Sequence, residues 1–184
     1  MSKIVVFIGS PRGDGYSTKL VNQVIAGAES AGAEIVTYNL NDDGIKGCQG
    51  CFYCRTHEGC ATKDKLQGMY GDIAGCDGIV ASFPIYFAGI SGQAKSWIDR
   101  LYPVIGANFT PRYPGKKVVT VYAQGNPDKE MFKEVAEKND AIMGHLGWEL
   151  ASSLLVCGSS APGFEIPQNL KDEAFAAGQR LVGN

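Results

Sequence analysis

The sequence predicts an α/β fold, a doubly wound five-stranded parallel sheet with helices on both faces. Three observations carry this. Five short apolar runs alternate with five amphipathic stretches along 184 residues, the pattern of repeated strand–helix units. The first run, Lys3 to Ile8, is apolar throughout after its lysine, as a strand covered on both faces must be. Glycine is abundant, with 24 residues, which suits a fold with many tight loops.

The elements follow in order. After the strand Lys3 to Ile8, a helix from Thr18 to Ala31 places Leu20, Val21, Val24, Ile25 and Ala28 on one face, and Gly32 can end it. Glu34 to Leu40 is the second strand. A long connection, Asn41 to Asp64, leads to a short helix marked by Leu66, Met69 and Ile73 and weakened by Gly68 and Gly71. Gly78 to Phe83 is the third strand. Ala94, Trp97, Ile98 and Leu101 mark the next helix. Tyr102 to Gly115 is rich in proline and glycine and irregular, an interface segment or a flap beside the substrate. Lys117 to Ala123 is the fourth strand. A helix from Asp128 to Leu146 turns Phe132, Val135, Ile142 and Leu146 inward, with Asp128 as its cap. Trp148 to Val156 is the fifth strand, and Leu170, Ala174, Ala177 and Leu181 mark the last helix.

Five strands in this arrangement correspond to the flavodoxin-like fold, read as a single domain over residues 1–184. Its ligand site lies at the carboxyl ends of the strands. Every loop leaving a parallel strand emerges on that edge. Gly9 to Ser17, Asn41 to Asp64, Pro84 to Gly92, Gln124 to Pro127 and Cys157 to Phe164 are therefore expected to face one another. Composition is that of a soluble globular chain, 45% hydrophobic and 20% charged. A formal net charge of -2 gives no reason to expect nucleic acid or an anionic membrane as partner. The first apolar run is too short for a signal peptide or a membrane span, so a cytoplasmic location and reduced or cluster-bound cysteines are expected.

The first loop reads Gly9-Ser10-Pro11-Arg12-Gly13-Asp14-Gly15-Tyr16-Ser17-Thr18. Free N–H groups at a helix start, backed by the helix dipole, attract an anion. Ser10, Ser17 and Thr18 can donate to it, and the Arg12 guanidinium suits a dianionic phosphate. The loop lacks the Gly-Lys pair of a Walker A motif and the glycine spacing of a dinucleotide fingerprint. What remains is a loop for a terminal monophosphate, or a tight turn of the same residue types with no ligand. The third loop, Phe83-Pro84-Ile85-Tyr86-Phe87-Ala88-Gly89-Ile90-Ser91-Gly92, is unusually apolar and aromatic. Such a loop packs on a flat heterocycle or plugs a core edge or subunit interface. Gln124-Gly125-Asn126-Pro127 offers a close backbone approach and two amides. A monophosphate at one end and a flat ring at the other describe flavin mononucleotide (FMN).

GSPRGDGYSTKL, the cysteine-bearing connection, SFPIYFAGISGQAKSWIDRL and the small loop after the fourth strand together resemble the NADPH-dependent FMN reductases of the flavodoxin-like superfamily. They look especially similar to its iron–sulfur flavoproteins, over about Lys3 to Leu155. The resemblance implies FMN with its phosphate held by Ser10, Arg12, Ser17 and Thr18. It implies Pro84, Ile85, Tyr86, Phe87, Ala88 and Gly89 along the isoalloxazine, with Gly125 and Asn126 closing over it. It also implies NAD(P)H as electron donor, a small acceptor such as a flavin or quinone, and a homodimer or homotetramer. Two departures stand out: Tyr16-Ser17 where the family often has Gly or Ser followed by Asn or Ser, and Thr62-Lys63-Asp64-Lys65 where it often has paired acidic residues.

Within the cysteine-rich stretch 47–61, Cys48, Cys51, Cys54 and Cys60 fall as C-x2-C-x2-C-x5-C. Compact thiolate spacing of this kind can wrap a cuboidal cluster, whereas structural zinc more often uses two separated pairs. The iron–sulfur flavoproteins bind a 4Fe–4S cluster through a compact motif, and cluster-free relatives keep such cysteines as thiols; both readings stand. An electron carrier passing electrons between protein partners through FMN and a cluster is thus the alternative to an NAD(P)H-dependent enzyme. A cluster loop and an FMN loop on one sheet edge could exchange electrons. His57 is expected to be a solvated loop residue, and Cys76 and Cys157 small buried hydrophobes. Lys95, Asp99 and Arg100 are expected on the solvated side of their helix, with no catalytic role. No acid–base residue is required, because the flavin carries the chemistry.

Overall fold

The computed structural model describes residues 1–182. Strands β1 (Lys3–Ile8), β2 (Glu34–Asn39), β3 (Gly78–Tyr86), β4 (Gly89–Ile90), β5 (Lys117–Ala123) and β6 (Glu149–Val156) form one sheet. Five of them run parallel in the order β2-β1-β3-β5-β6, and β4 folds back antiparallel on the end of β3. This is the flavodoxin-like sheet expected from the alternation of apolar runs.

Side-chain alternation along the strands fixes the two cores. Ile4 and Val6 of β1 point one way, with Val80, Val119 and Val121, onto helices α1 (Tyr16–Ser30) and α5 (Gln168–Leu181). Val5 and Phe7 point the other way, with Ile79, Ala81, Phe83 and Tyr122. They pack on α2 (Met69–Gly75), α3 (Gly92–Asp99) and α4 (Lys133–His145). Trp97 anchors α3, its ring 4.5 Å from Phe7 and 6.0 Å from Phe83. Among the described residues no helix is long and apolar enough to cross a membrane.

Three boundaries differ from expectation for physical reasons. Helix α1 begins at Tyr16, before Thr18, with Gly15 at its cap position. Strand β3 continues to Tyr86, because Ile85 and Tyr86 pair with Ile90 and Gly89. Helix α4 begins at Lys133, and Asp128 does not cap it. Gln124 Nε2 donates to the Asp128 carbonyl at 2.6 Å, and Asp128 Oδ1 accepts from Glu130 N at 3.0 Å. That tether holds residues 124–130 as a turn and delays the helix. On α4, Leu146 is buried as expected and Phe132, Val135 and Ile142 pack half-buried, while Met143 takes the deepest place.

Candidate functional site

Four loops at the carboxyl edge enclose one open cavity of about 530 Å³. Ser10, Arg12 and Ser17 line one end, and Pro84, Ile85, Tyr86 and Phe87 form a wall. Gly125 closes it together with Ser159 and Ser160 from the loop after β6. Of the residues assigned from the sequence, eight meet in this cavity. Thr18, Ala88, Gly89 and Asn126 belong to the same loops but do not line it.

The first loop is braced from within. Ser10 Oγ accepts from Arg12 N at 3.1 Å and donates to Arg12 O at 3.0 Å, and the buried Thr18 hydroxyl donates to the same carbonyl at 3.3 Å. Helix α1 has no side-chain cap and no acidic residue in its first turn. Its first N–H groups and positive dipole end therefore open onto the cavity. Gly9 is required by packing: a Cβ there would sit 2.3 Å from Ser82 O and 2.9 Å from Ala94 Cβ. Ser91 ties this floor to the next helix. Its Oγ donates to Gly9 O at 2.7 Å and caps α3 by accepting from Ala94 N at 3.2 Å.

The opposite wall is also close, though against a side chain that can turn and not against backbone. A Cβ on Gly125 would lie 2.1 Å from Ser160 Oγ. Ser159 joins the two loops, its backbone N–H and hydroxyl both donating to Gln124 O. Gln124 is buried, and its Oε1 has no hydrogen-bond partner among the described residues. Ser159 and Ser160 were not singled out in the sequence. The parallel topology already placed their loop on this edge, and that was the available signal. The β3–β4 turn carries strain: Phe87 and Ala88 have φ of 49° and 62°, a left-handed backbone that costs a non-glycine residue about 1–2 kcal/mol.

The cysteines form a second, separate site. Cys48, Cys51, Cys54 and Cys60 line one small enclosed cavity of about 120 Å³, walled by Asp99, Arg100, Tyr102 and Pro103. The expectation of one shared edge is corrected here. The connection leaves β2 at the carboxyl edge, where Asn41 accepts from Gln93 near the start of α3. It then descends alongside α3 to Arg100 at the helix's far end. Eight helical residues span about 12 Å, and the two cavities share no lining residue.

Arg100 is the second correction. It is fully buried and does not face solvent. Its guanidinium binds Asp64 through both carboxylate oxygens at 2.6 and 3.1 Å, with the Asp64 side chain only 2% exposed. It also donates to Lys46 O at 2.8 Å and Thr62 O at 3.4 Å, and Tyr70 OH donates to its carbonyl at 3.0 Å. One side chain thus clasps both ends of the cysteine loop. Arg55 holds its middle, donating to the carbonyls of Tyr102, Ile105 and Gly106 at 2.9, 2.6 and 2.9 Å and lying 4.0 Å over the Tyr102 ring. The start of the irregular segment after α3, Tyr102 and Pro103, walls this cavity, and Arg55 ties the cysteine loop to that segment. Arg100 falls three residues after Trp97, at the margin of the helix's apolar stripe, which was the only local hint of its burial.

The electrostatics favour anionic groups here. Burial alone would raise the Asp64 carboxyl, but Arg100 and the N–H groups of Lys46 and Leu66 hold it below the ordinary carboxylate range. Burial likewise opposes ionisation of Cys60, yet the Thr62 N–H and hydroxyl, the Arg100 cation and Tyr70 outweigh it and lower its thiol. Gly50 N and Thr62 N donate to Cys48 Sγ and Cys60 Sγ at 3.4 Å. Among the described residues no three His, Cys, Asp or Glu side chains come together for a single metal ion. The donor set is four thiols spread around a cavity. Cys76 is buried as expected, whereas Cys157 is only half-buried.

Comparison with known proteins agrees with this architecture. The chain is 31% identical over 129 residues to an iron-sulfur flavoprotein of Methanocaldococcus jannaschii, covering 70% of this chain and 66% of that protein. It is 25% identical over 130 residues to an iron-sulfur flavoprotein of Archaeoglobus fulgidus, covering 69% and 58%. The match thus spans under two thirds of either relative's length. The structure superposes on an FMN-dependent NADH-azoreductase from Bacillus anthracis in complex with FMN, with a TM-score of 0.74, 16% identity and full coverage of both chains, which shows the shared fold. The family model for NADPH-dependent FMN reductase matches residues 2–140, and the chain belongs to that family.

Proposed function

We propose that this chain is an FMN-dependent oxidoreductase, one domain over residues 1–184, that takes electrons from NAD(P)H and delivers them to a small acceptor such as a flavin or quinone. The observation that carries this is a cavity with an anion-binding end and an apolar wall. The uncapped start of α1, Ser10, Arg12 and Ser17 stand at one end, with Pro84 to Tyr86 along the side. Ser17, the first N–H groups of α1 and the exposed Arg12 guanidinium would hold the phosphate. Ser10 and Thr18 would set the loop's shape through the Arg12 backbone. Pro84, Ile85 and Tyr86 would lie along the ring with Phe87 at its outer margin, and Gly125, Asn126 and the Ser159–Ser160 turn opposite. Ala88 and Gly89 would place the hairpin at its rim. Gln124 Oε1, buried and unpaired, is an acceptor held beside that wall. FMN supplies hydride and single-electron chemistry at its ring; the chain supplies position and a shielded face. Assembly as a homodimer or homotetramer belongs to this reading.

The test is a visible spectrum of protein purified without oxygen, followed by addition of NADPH or NADH. Stoichiometric flavin that bleaches on addition is expected. No flavin uptake even in excess FMN would overturn the reading.

A second reading, an iron–sulfur flavoprotein electron carrier, is favoured by the cysteine cavity. Four thiols line it, two accept backbone N–H bonds, and one is biased toward thiolate. A cuboidal cluster takes one thiolate at each of four corners, farther apart than ligands of a lone ion, and deprotonated thiols are what a metal requires. About four irons and four sulfides per chain would establish this version. Negligible iron with full flavin would leave the enzyme with a thiol loop.

A further inference from the structure

The turn between β3 and β4 departs from the residue rule for its type. Tyr86 pairs with Gly89, so Phe87 and Ala88 alone form the loop, and both have positive φ. That is a type I′ turn, whose two central positions ordinarily take Asn-Gly because glycine and asparagine tolerate the left-handed backbone. A phenylalanine is poorly suited to it. Nor does the ring gain burial within the chain: Phe87 is fully exposed, at 108% of its reference area. Yet it lines the same cavity as Arg12, Ser17 and Pro84. Phe52, with φ of 57°, repeats the pattern at the cysteine cavity. Two of the left-handed non-glycine residues among those described, Phe52 and Phe87, thus each line one of the two cavities. A strained backbone that holds a large ring in solvent at a cavity mouth is a feature kept for contact with something outside the chain.

We propose that Phe87 is the acceptor-contacting residue of the carboxyl-edge cavity, its ring forming an outer wall on which a flat aromatic electron acceptor stacks. This rests on the FMN reading above and adds where the acceptor lies and which residue discriminates among acceptors. The chemistry fits a planar quinone or free flavin, whose face offers the offset-stacking partner the ring lacks. A non-aromatic acceptor has no such face and gains nothing from Phe87.

The experiment compares three FMN-loaded proteins: wild type, Phe87→Ala, and the double variant Phe87→Asn with Ala88→Gly. The readouts are kcat/KM for menadione divided by kcat/KM for ferricyanide, the thermal midpoint, and sedimentation. Both variants are expected to lower the menadione-to-ferricyanide ratio roughly 3- to 10-fold, the worth of one stacked ring. The Asn-Gly variant is expected to melt about 2–8 °C higher, because it relieves the turn. A higher midpoint with an unchanged ratio would overturn the acceptor role. A lower midpoint or a smaller assembly would overturn it too, placing the ring in a subunit interface. If the wild-type protein takes up FMN and reduces neither compound, the oxidoreductase reading fails first and the proposal with it. Turnover of both by the wild type leaves the ratio as a test of Phe87 alone.

Discussion

The two cavities, one at the carboxyl edge and one beside the far end of α3, are built by opposite means. The carboxyl-edge cavity is open and assembled from four loops far apart in sequence. Its parts are held by backbone geometry, short hydroxyl bonds and the sheet itself. The cysteine cavity is enclosed and comes mostly from one loop. That loop has little regular structure beyond a single turn, Tyr53–Arg55. Two arginines do there what the sheet does at the other site. Parallel topology brings distant loops together without further help, whereas a long irregular loop needs dedicated buried partners. The first site should therefore tolerate loss of single side chains, and the second should not.

The largest effect expected is from Arg100→Met. It leaves Asp64 buried without its partner, and breaking a buried ion pair from one side costs about 3–5 kcal/mol. Chemical denaturation should show that loss, and hydrogen exchange should show it concentrated in residues 46–64. Replacing both charges, Arg100→Met with Asp64→Leu, should restore much of the global stability while exchange in the loop stays fast. Slow exchange there in the double variant would mean that the clasp is dispensable.

The same pair sets an acid limit. Asp64 is held below its unfolded value, so its contribution is fully present above about pH 4 and is lost as pH falls through its depressed folded pKa. The cysteine loop should loosen in that acid range before the sheet unfolds. Asp64→Asn should remove this acid-dependent step and lower stability at neutral pH. An identical pH profile in the two proteins would exclude Asp64 as the titrating group.

This contrast also explains what the sequence made legible. The sheet was readable because β1, β3 and β5 are apolar on both faces, and such runs between amphipathic stretches leave few alternatives. Ser10, Arg12, Ser17 and the Pro84–Phe87 wall were readable because residue type and strand-end position together imply a ligand edge. The β4 hairpin was not: a stretch holding proline, glycine and aromatics reads as loop, and its two-pair ladder leaves no period. Arg100 was not, because a local pattern reports a charge at a helix margin as solvated. Its partner Asp64 lies 36 residues away. The start of α4 was misplaced because Asp128 is a good cap by type, and the bond from Gln124, four residues back, that holds the chain as a turn leaves no mark on the apolar period.

At the open site the effects are smaller and fall on binding. Arg12 is exposed and makes no ion pair among the described residues. Arg12→Ala should therefore leave the thermal midpoint of the FMN-free protein unchanged within error. It should weaken FMN about 10- to 100-fold, the worth of one hydrogen bond to a charged group. Fluorescence titration with FMN and with riboflavin, which lacks the phosphate, separates the causes: only FMN should lose affinity. Equal loss for both would move Arg12 away from the phosphate end.

Ser91→Ala sharpens the contrast most finely, because Ser91 stands between the cavities. It caps the start of α3 and binds Gly9 O, while the other end of α3 carries Arg100. Losing a cap costs about 1 kcal/mol, and here the Gly9 carbonyl is also left without its donor. If α3 transmitted this change as a rigid rod, exchange at 46–64 would rise along with the FMN dissociation constant. The Arg100 clasp argues against that, since Asp64, Lys46 and Thr62 hold the far end independently of the cap. The expected result is a few-fold weaker FMN with unchanged exchange in the cysteine loop. A parallel change in both would mean that the two cavities, though separately built, are coupled through the helix they share.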